Sequence, residues 1–211
     1  MTGARTLLLW GALAGPLYVI LGFGQAFARQ GFDLRRHALS LLSNGDLGWI
    51  QIATFLTSGA LSIALAVGIR RTLRGRPAGT WGAWLVGVWG ACLIAAGIFV
   101  ADPALGFPPG TPDGPPAAWS WHSTLHFVSA AVGFLALIAA CFVFVRAFAR
   151  HGERRWAAFS ALTGAAFLAS FAALASGGGN EALSLVFAAA VVLVWAWLTL
   201  LALRLRASDV P

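Results

Sequence analysis

The sequence predicts an all-α integral membrane protein: one domain over residues 1–211, a bundle of six transmembrane helices with both termini in the cytoplasm. Three observations lead there. The 211 residues are 59% apolar and only 10% charged, with a mean hydropathy of +0.81; a soluble domain carries about 25% charged side chains. The charged residues leave six apolar runs between them, at about 6–28, 47–69, 79–101, 121–145, 156–176 and 182–203. Each is close to the roughly 20 residues that a helix needs to cross about 30 Å of hydrocarbon. Finally, the arginines crowd every second gap between the runs.

The first run follows Arg5 and ends at Arg29, with Pro16 deep inside it. Its end, Ala26-Phe27-Ala28, looks like a signal-peptidase site. The run exceeds the 7–15 residues of a usual signal core, so an uncleaved span is expected. The second run is closed by Arg70 and Arg71 and carries Gln51, Thr54, Ser58 and Ser62 on one helical face. Small and hydroxyl residues so placed mark helix–helix packing. The third follows Arg76 and stops at Asp102-Pro103. A Pro/Gly-rich stretch delays the fourth until Trp121, and Arg146 closes it. The fifth opens at Trp156, after Arg154 and Arg155. A Gly177-Gly178-Gly179 turn leads to the sixth, which Arg204 ends. Helices are required because lipid cannot satisfy backbone polar groups.

Orientation follows from charge. Arg5, Arg70, Arg71, Arg74, Arg76, Arg146, Arg150, Arg154, Arg155, Arg204 and Arg206 share one side, against Arg29, Arg35 and Arg36 on the other. The positive-inside bias puts the larger set in the cytoplasm. The expected location is the inner (plasma) membrane of a bacterium. The net charge of +7 contains no lysine, which excludes Schiff-base chemistry. A nucleic-acid binder sets its cations on one solvated face; here they fall in short clusters between apolar runs. Membrane lipids are therefore the expected partners, and nucleic acid is not. The glycine run lacks the Lys-Ser/Thr of a phosphate loop, so no nucleotide is expected. Only His151 lies on the inner side, so haem clasped near both faces is not expected either.

Polar residues gather on the outer side. Asp33, Asp46, Asp102, Asp113 and Glu181 are there, with His37, His122 and His126. Titratable groups at a membrane face are a site hypothesis. If the first outer loop is helical, Asp33, His37, Ser40 and Asn44 form one stripe. On the fourth span His122 and His126 stand at i, i+4, one turn apart, continued by Ser129 and Gly133. Zinc accepts imidazole readily, and a catalytic zinc takes three protein ligands and water. His37, His122 and His126 supply that number. Asp102 would accept a proton or orient an imidazole, and Ser40 would donate to an oxyanion. Arg35 and Arg36 suit a lipid head group. The same residues also read as architecture: Asp102-Pro103 as a helix-end turn, Ser40 and Ser43 as caps, and the histidines as polar packing groups. Cys92 and Cys141 fall inside spans and behave as small hydrophobes.

Three blocks carry a family likeness: Arg-Arg-His-Ala-Leu-Ser-x-Leu at 35–42, Gly-Ile-Phe-Val-Ala-Asp-Pro-Ala-Leu-Gly-Phe-Pro-Pro-Gly-Thr-Pro at 97–112, and Ser-Trp-His-Ser-Thr-Leu-His at 120–126. Together with the span count they resemble the bacterial and archaeal membrane family called domain of unknown function 998. That resemblance implies an architecture and no reaction. The Ser, Asp and His-x-x-x-His set is similar to the transmembrane hydrolase superfamily of alkaline ceramidases, hemolysin III-like and adiponectin-receptor-like proteins. Those proteins carry seven spans where this chain carries six. The second likeness implies zinc on His37, His122 and His126 with Asp102 holding the water. Two functions are thus expected: a metal-dependent hydrolase acting on a lipid-like substrate, or a non-enzymatic lipid-binding, transport or assembly protein.

Overall fold

Pro16 sets the shape of the first span. The computed structural model, which describes residues 2–176 and 180–207, builds that span from α1 (Thr2–Ala12) and α2 (Ala14–Ala28). Proline lacks an N–H, and its ring crowds the carbonyl four residues back. That carbonyl belongs to Ala12, where α1 stops. The Leu13 N–H donates to Trp10 O at 3.1 Å, and the Leu17 N–H resumes the ladder on Leu13 O at 3.1 Å. In the sixth span, α7 (Glu181–Ala207), the Thr199 hydroxyl donates to the freed Ala12 oxygen at 3.3 Å. Proline is tolerated within spans where a neighbour repairs the ladder in this way.

The remaining spans are α3 (Gly48–Thr72), α4 (Ala83–Ile98) with a π-helical turn at Ala78–Gly82 leading into it, α5 (Trp121–Arg150) and α6 (Arg154–Ala175). Six helices are long and apolar enough to cross a membrane, and the described residues form no strand beyond one bridge between Ala104 and Phe107. Each span packs on its neighbours in sequence, and α7 closes the ring against α1 and α2. The α3–α4 seam is glycine against glycine. A methyl at Gly59 would lie 2.7 Å from Gly90 O, and one at Gly90 would lie 2.7 Å from Gly59 O. Only residues without Cβ let the backbones meet so closely.

Aromatic rings fill the interior. Trp195 of α7 stacks on Tyr18 of α2 at 4.8 Å and lies 5.5 Å from Trp89 of α4. Phe134 of α5 meets Phe167 of α6 and Phe187 of α7 at 5.2 and 5.6 Å. Outside the ring the picture reverses. Between 28% and 50% of each span is buried, and Trp10, Ile20, Phe27, Trp84 and Leu162 are exposed. Apolar patches of that extent belong against acyl chains. The chain is a multi-pass membrane protein.

Two local expectations change. The third span ends at Ile98 rather than near residue 101, because Pro103 disfavours helix at the residue before it and because imidazoles claim its last carbonyls. The loop between α2 and α3, expected on the outer side, is not a helix. It turns on Asp33, whose carbonyl accepts the Arg36 and His37 N–H groups at 3.0 and 2.8 Å. Ala38 is extended, and a short 3-10 turn follows at Leu39–Ser43. The stripe of Asp33, His37, Ser40 and Asn44 is therefore not built. The glycine turn at 177–179 falls outside the described residues.

Candidate functional site

The histidine end of the bundle is assembled around the start of α5. Ser120 is its N-cap, accepting the Ser123 N–H at 3.1 Å. The same hydroxyl donates to Asp102 Oδ1 at 2.7 Å, and the Ser120 N–H donates to Asp102 Oδ2 at 2.8 Å. In return the Asp102 N–H donates to Ser123 Oγ at 3.1 Å. Burial pushes the Asp102 carboxyl upward, but the hydrogen bonds from Ser120 hold it below its ordinary value. His122 Nδ1 lies 2.9 Å from Val100 O and 3.0 Å from Ser120 Oγ. The carbonyl requires that Nδ1 carry the proton, which leaves Nε2 as the accepting nitrogen. In a hydrolytic triad the imidazole stands between carboxylate and serine. Here serine stands between the other two and gives its proton to the carboxylate. The trio clasps α5 to the end of α4.

His126, one turn on, does the same at depth. It is 2% exposed, and its Nδ1 lies 3.0 Å from Ala96 O and 2.8 Å from Phe99 O. A continuing α4 would offer Ala96 O to the Val100 N–H, whereas Phe99 O would find no donor because residue 103 is proline.

His37 belongs to the other loop. Its Nδ1 accepts the Asp33 N–H at 2.9 Å, and its Nε2 donates to Leu105 O at 3.0 Å. Both ring nitrogens are thus engaged by backbone. Leu105 needs the hold, since its φ of 59° is left-handed, a conformation that costs a branched residue about 1–2 kcal/mol. Arg29 reinforces the cap, donating to Leu42 O and Asn44 O at 2.5 and 2.6 Å and lying 4.9 Å over the Phe107 ring. Burial draws its pKa down, against the pull of Asp46. Asn44 Nδ2 donates to Ala101 O at 3.1 Å, tying the two loops. Arg35 is bonded to Asp33 at 2.8 Å and Arg36 to Asp113 at 3.2 Å, so both head-group candidates have carboxylate partners. Ser40 sits half-buried on the 3-10 turn. Among the described residues no three His, Cys, Asp or Glu side chains are grouped to hold one ion. Asp102 and His122 come together with His126 one turn below, but His37 does not join them in a metal-holding set.

Beneath the cap runs a buried polar seam. Gln25 of α2 donates from Nε2 to Gln51 Oε1 of α3 and to Leu21 O, both at 3.0 Å. Gln51, Thr54, Ser58 and Ser62 are each 0% exposed. Thr54 and Ser62 bond back to carbonyls of their own helix. Among the described residues five buried atoms have no protein partner: Gln25 Oε1, Gln51 Nε2, Ser58 Oγ and Trp89 Nε1 on the helices, and Ser43 Oγ on the 3-10 turn.

A family model described as a protein of unknown function, DUF998, matches residues 12–204. The chain belongs to that family. No curated protein and no solved structure matches it.

The matched region of this DUF998 chain contains the whole cap and the whole seam. Reading the sequence alone missed Ser120, although a serine directly before the first helical residue is an N-cap signal. It also missed Gln25, a lone amide in an apolar run, and counted Arg29 only as a charge beyond the first span. Nothing local indicates that Arg29 folds back onto Leu42 and Asn44.

Proposed function

We propose that this protein is a non-enzymatic membrane protein that holds a small, neutral, hydrogen-bonding molecule in the seam between α2, α3 and α4. It would sit in the inner membrane of a bacterium with its arginine-rich end in the cytoplasm, as the positive-inside bias supports. One observation carries the reading: among the described residues, four buried polar atoms on these three helices, Gln25 Oε1, Gln51 Nε2, Ser58 Oγ and Trp89 Nε1, have no protein partner. A buried unsatisfied group costs about 1–3 kcal/mol. Four of them amount to about 4–12 kcal/mol, comparable with a domain's whole stability. Each of these atoms is closed off by its neighbours, so an occupant that supplies their partners must part the surrounding side chains, and in doing so it removes the conflict. Gln51 Nε2 and Trp89 Nε1 donate, Gln25 Oε1 accepts, and Ser58 Oγ does either. No charged side chain belongs to the set, so the fitting occupant is uncharged.

The test is mass spectrometry of small molecules released on denaturing the purified protein. Wild type should release a neutral compound near one per chain, and Gln51→Leu should release at least tenfold less. Equal release from both proteins, or none from either, overturns the reading.

A second reading, a zinc-assisted hydrolase, rests on a different observation. Both His122 and His126 direct Nδ1 at backbone carbonyls, the usual arrangement of imidazoles whose other nitrogen takes a metal. The pair alone is one short of the three protein ligands of a catalytic zinc, and Asp102 already engages both of its oxygens on Ser120. Metal content of wild type against the double His122→Ala, His126→Ala variant decides it; equal content removes zinc.

A further inference from the structure

At the opposite end of the bundle the spans part to form a cleft of about 510 Å³ between the end of α3, the turn before α4, the end of α5 and the end of α7. Its floor is apolar and aromatic, with Phe144 and Phe148 of α5, Trp81 in the turn, and Leu205 of α7. Its rim is cationic. Arg146 and Arg150 stand at i, i+4 on α5, and Arg76 faces them from the turn. The cleft's one carboxylate, Glu153, is already bonded to Arg204 at 2.9 Å. Among the described residues Arg76, Arg146 and Arg150 have no carboxylate partner, and three unneutralised guanidinium groups therefore border a greasy slot.

We propose that this cleft binds an anionic glycerophospholipid, its phosphate held by Arg76, Arg146 and Arg150 and one acyl chain lying over Phe144 and Phe148. Arginine forks match phosphate oxygens bidentately. Basic pockets between spans are where anionic head groups dock. The floor selects lipid over a free anion, because a soluble phosphate gains nothing from a wall of phenylalanine, whereas each buried methylene of an acyl chain contributes about 0.8 kcal/mol. Trp81 is exposed in the wall of the same cleft, and indoles favour the head-group layer. The inference is independent of the seam and its occupant.

Native mass spectrometry tests it on the protein purified in neutral detergent and offered phosphatidylglycerol or phosphatidylcholine. Wild type should retain phosphatidylglycerol and not phosphatidylcholine. The triple variant Arg76→Gln, Arg146→Gln, Arg150→Gln should retain at least tenfold less. Ala147→Trp fills the cleft without changing its charge, and it should lose the lipid as well. The pair Arg35→Gln, Arg36→Gln at the other end should retain it fully. Circular-dichroism melts without lipid should match wild type for every variant, and excess inorganic phosphate should not displace the lipid. Equal retention by the triple variant, equal retention of phosphatidylcholine, or displacement by phosphate alone overturns the proposal.

Discussion

Removing the Ser120 hydroxyl should be among the most damaging single-atom changes at the histidine end. Three interactions meet on that oxygen: the cap bond from Ser123 N–H, the bond to Asp102 Oδ1, and the contact with His122 Nδ1. Loss of a serine cap costs about 1 kcal/mol. Loss of a hydrogen bond to a charged group costs about 1.5–3 kcal/mol, and Asp102, with its side chain 15% exposed, cannot fully recover it from water. Ser120→Ala should therefore destabilise by about 2–4 kcal/mol, the two losses overlapping. Ser120→Thr keeps the hydroxyl and should stay within about 1 kcal/mol of wild type. In an Asp102→Ala background the same Ser120→Ala change should cost only about the cap, near 1 kcal/mol. Equilibrium unfolding in mixed micelles, followed by helical circular dichroism, reads all four proteins. If Ser120→Ala is harmless, or equally harmful with and without Asp102, the clasp is wrong.

Gly59→Ala and Gly90→Ala each drive a methyl to 2.7 Å from a carbonyl across the α3–α4 seam, so each should cost about 1–3 kcal/mol by overpacking, read in the same unfolding assay. Thr199→Val removes the donor to Ala12 O and should cost about 1 kcal/mol; in a Pro16→Ala background, where the helix supplies its own donor, it should be nearly neutral. Acid should loosen the cap. Arg35 hydrogen-bonds the Asp33 carboxyl and lowers it to about 2, and Asp102 also lies below its ordinary value. A carboxyl lowered in the fold contributes fully above the unfolded value of about 3.9 and loses that contribution as pH falls through the folded value. Melting temperature should hold above about pH 4 and fall toward pH 2, less steeply in Asp33→Asn.

The six spans were legible because lipid imposes one rule, a long uncharged run, that no tertiary contact overrides. The start of α5 at Trp121 was legible too, since a Pro/Gly-rich stretch cannot continue a helix. The end of α4 was not. His126 takes Ala96 O and Phe99 O at its end and His122 takes Val100 O just beyond, residues more than 20 positions away, and the hydropathy of Phe99, Val100 and Ala101 gives no hint of it. The gathering of polar residues at one end was correctly read, but the role of each was not. A histidine that ligates a metal and one that holds a backbone carbonyl look alike in sequence, and only the partners of Nδ1 and Nε2 tell them apart. The stripe on α3 was read as packing. That holds for Thr54 and Ser62, which bond their own helix, and falls short for Gln51 and Ser58, whose unpartnered atoms appear only once burial is known.

The central claim is that the polar groups of the cap serve the fold while the seam beneath holds a ligand. A density map of the wild-type protein in lipid nanodiscs, resolved finely enough to separate water from a larger molecule, tests it most directly. The account predicts one connected feature of several non-hydrogen atoms, within hydrogen-bonding distance of Gln51 Nε2 and Trp89 Nε1, that disappears in Gln51→Leu. Isolated single-atom peaks along α3, unchanged in that variant, would contradict it.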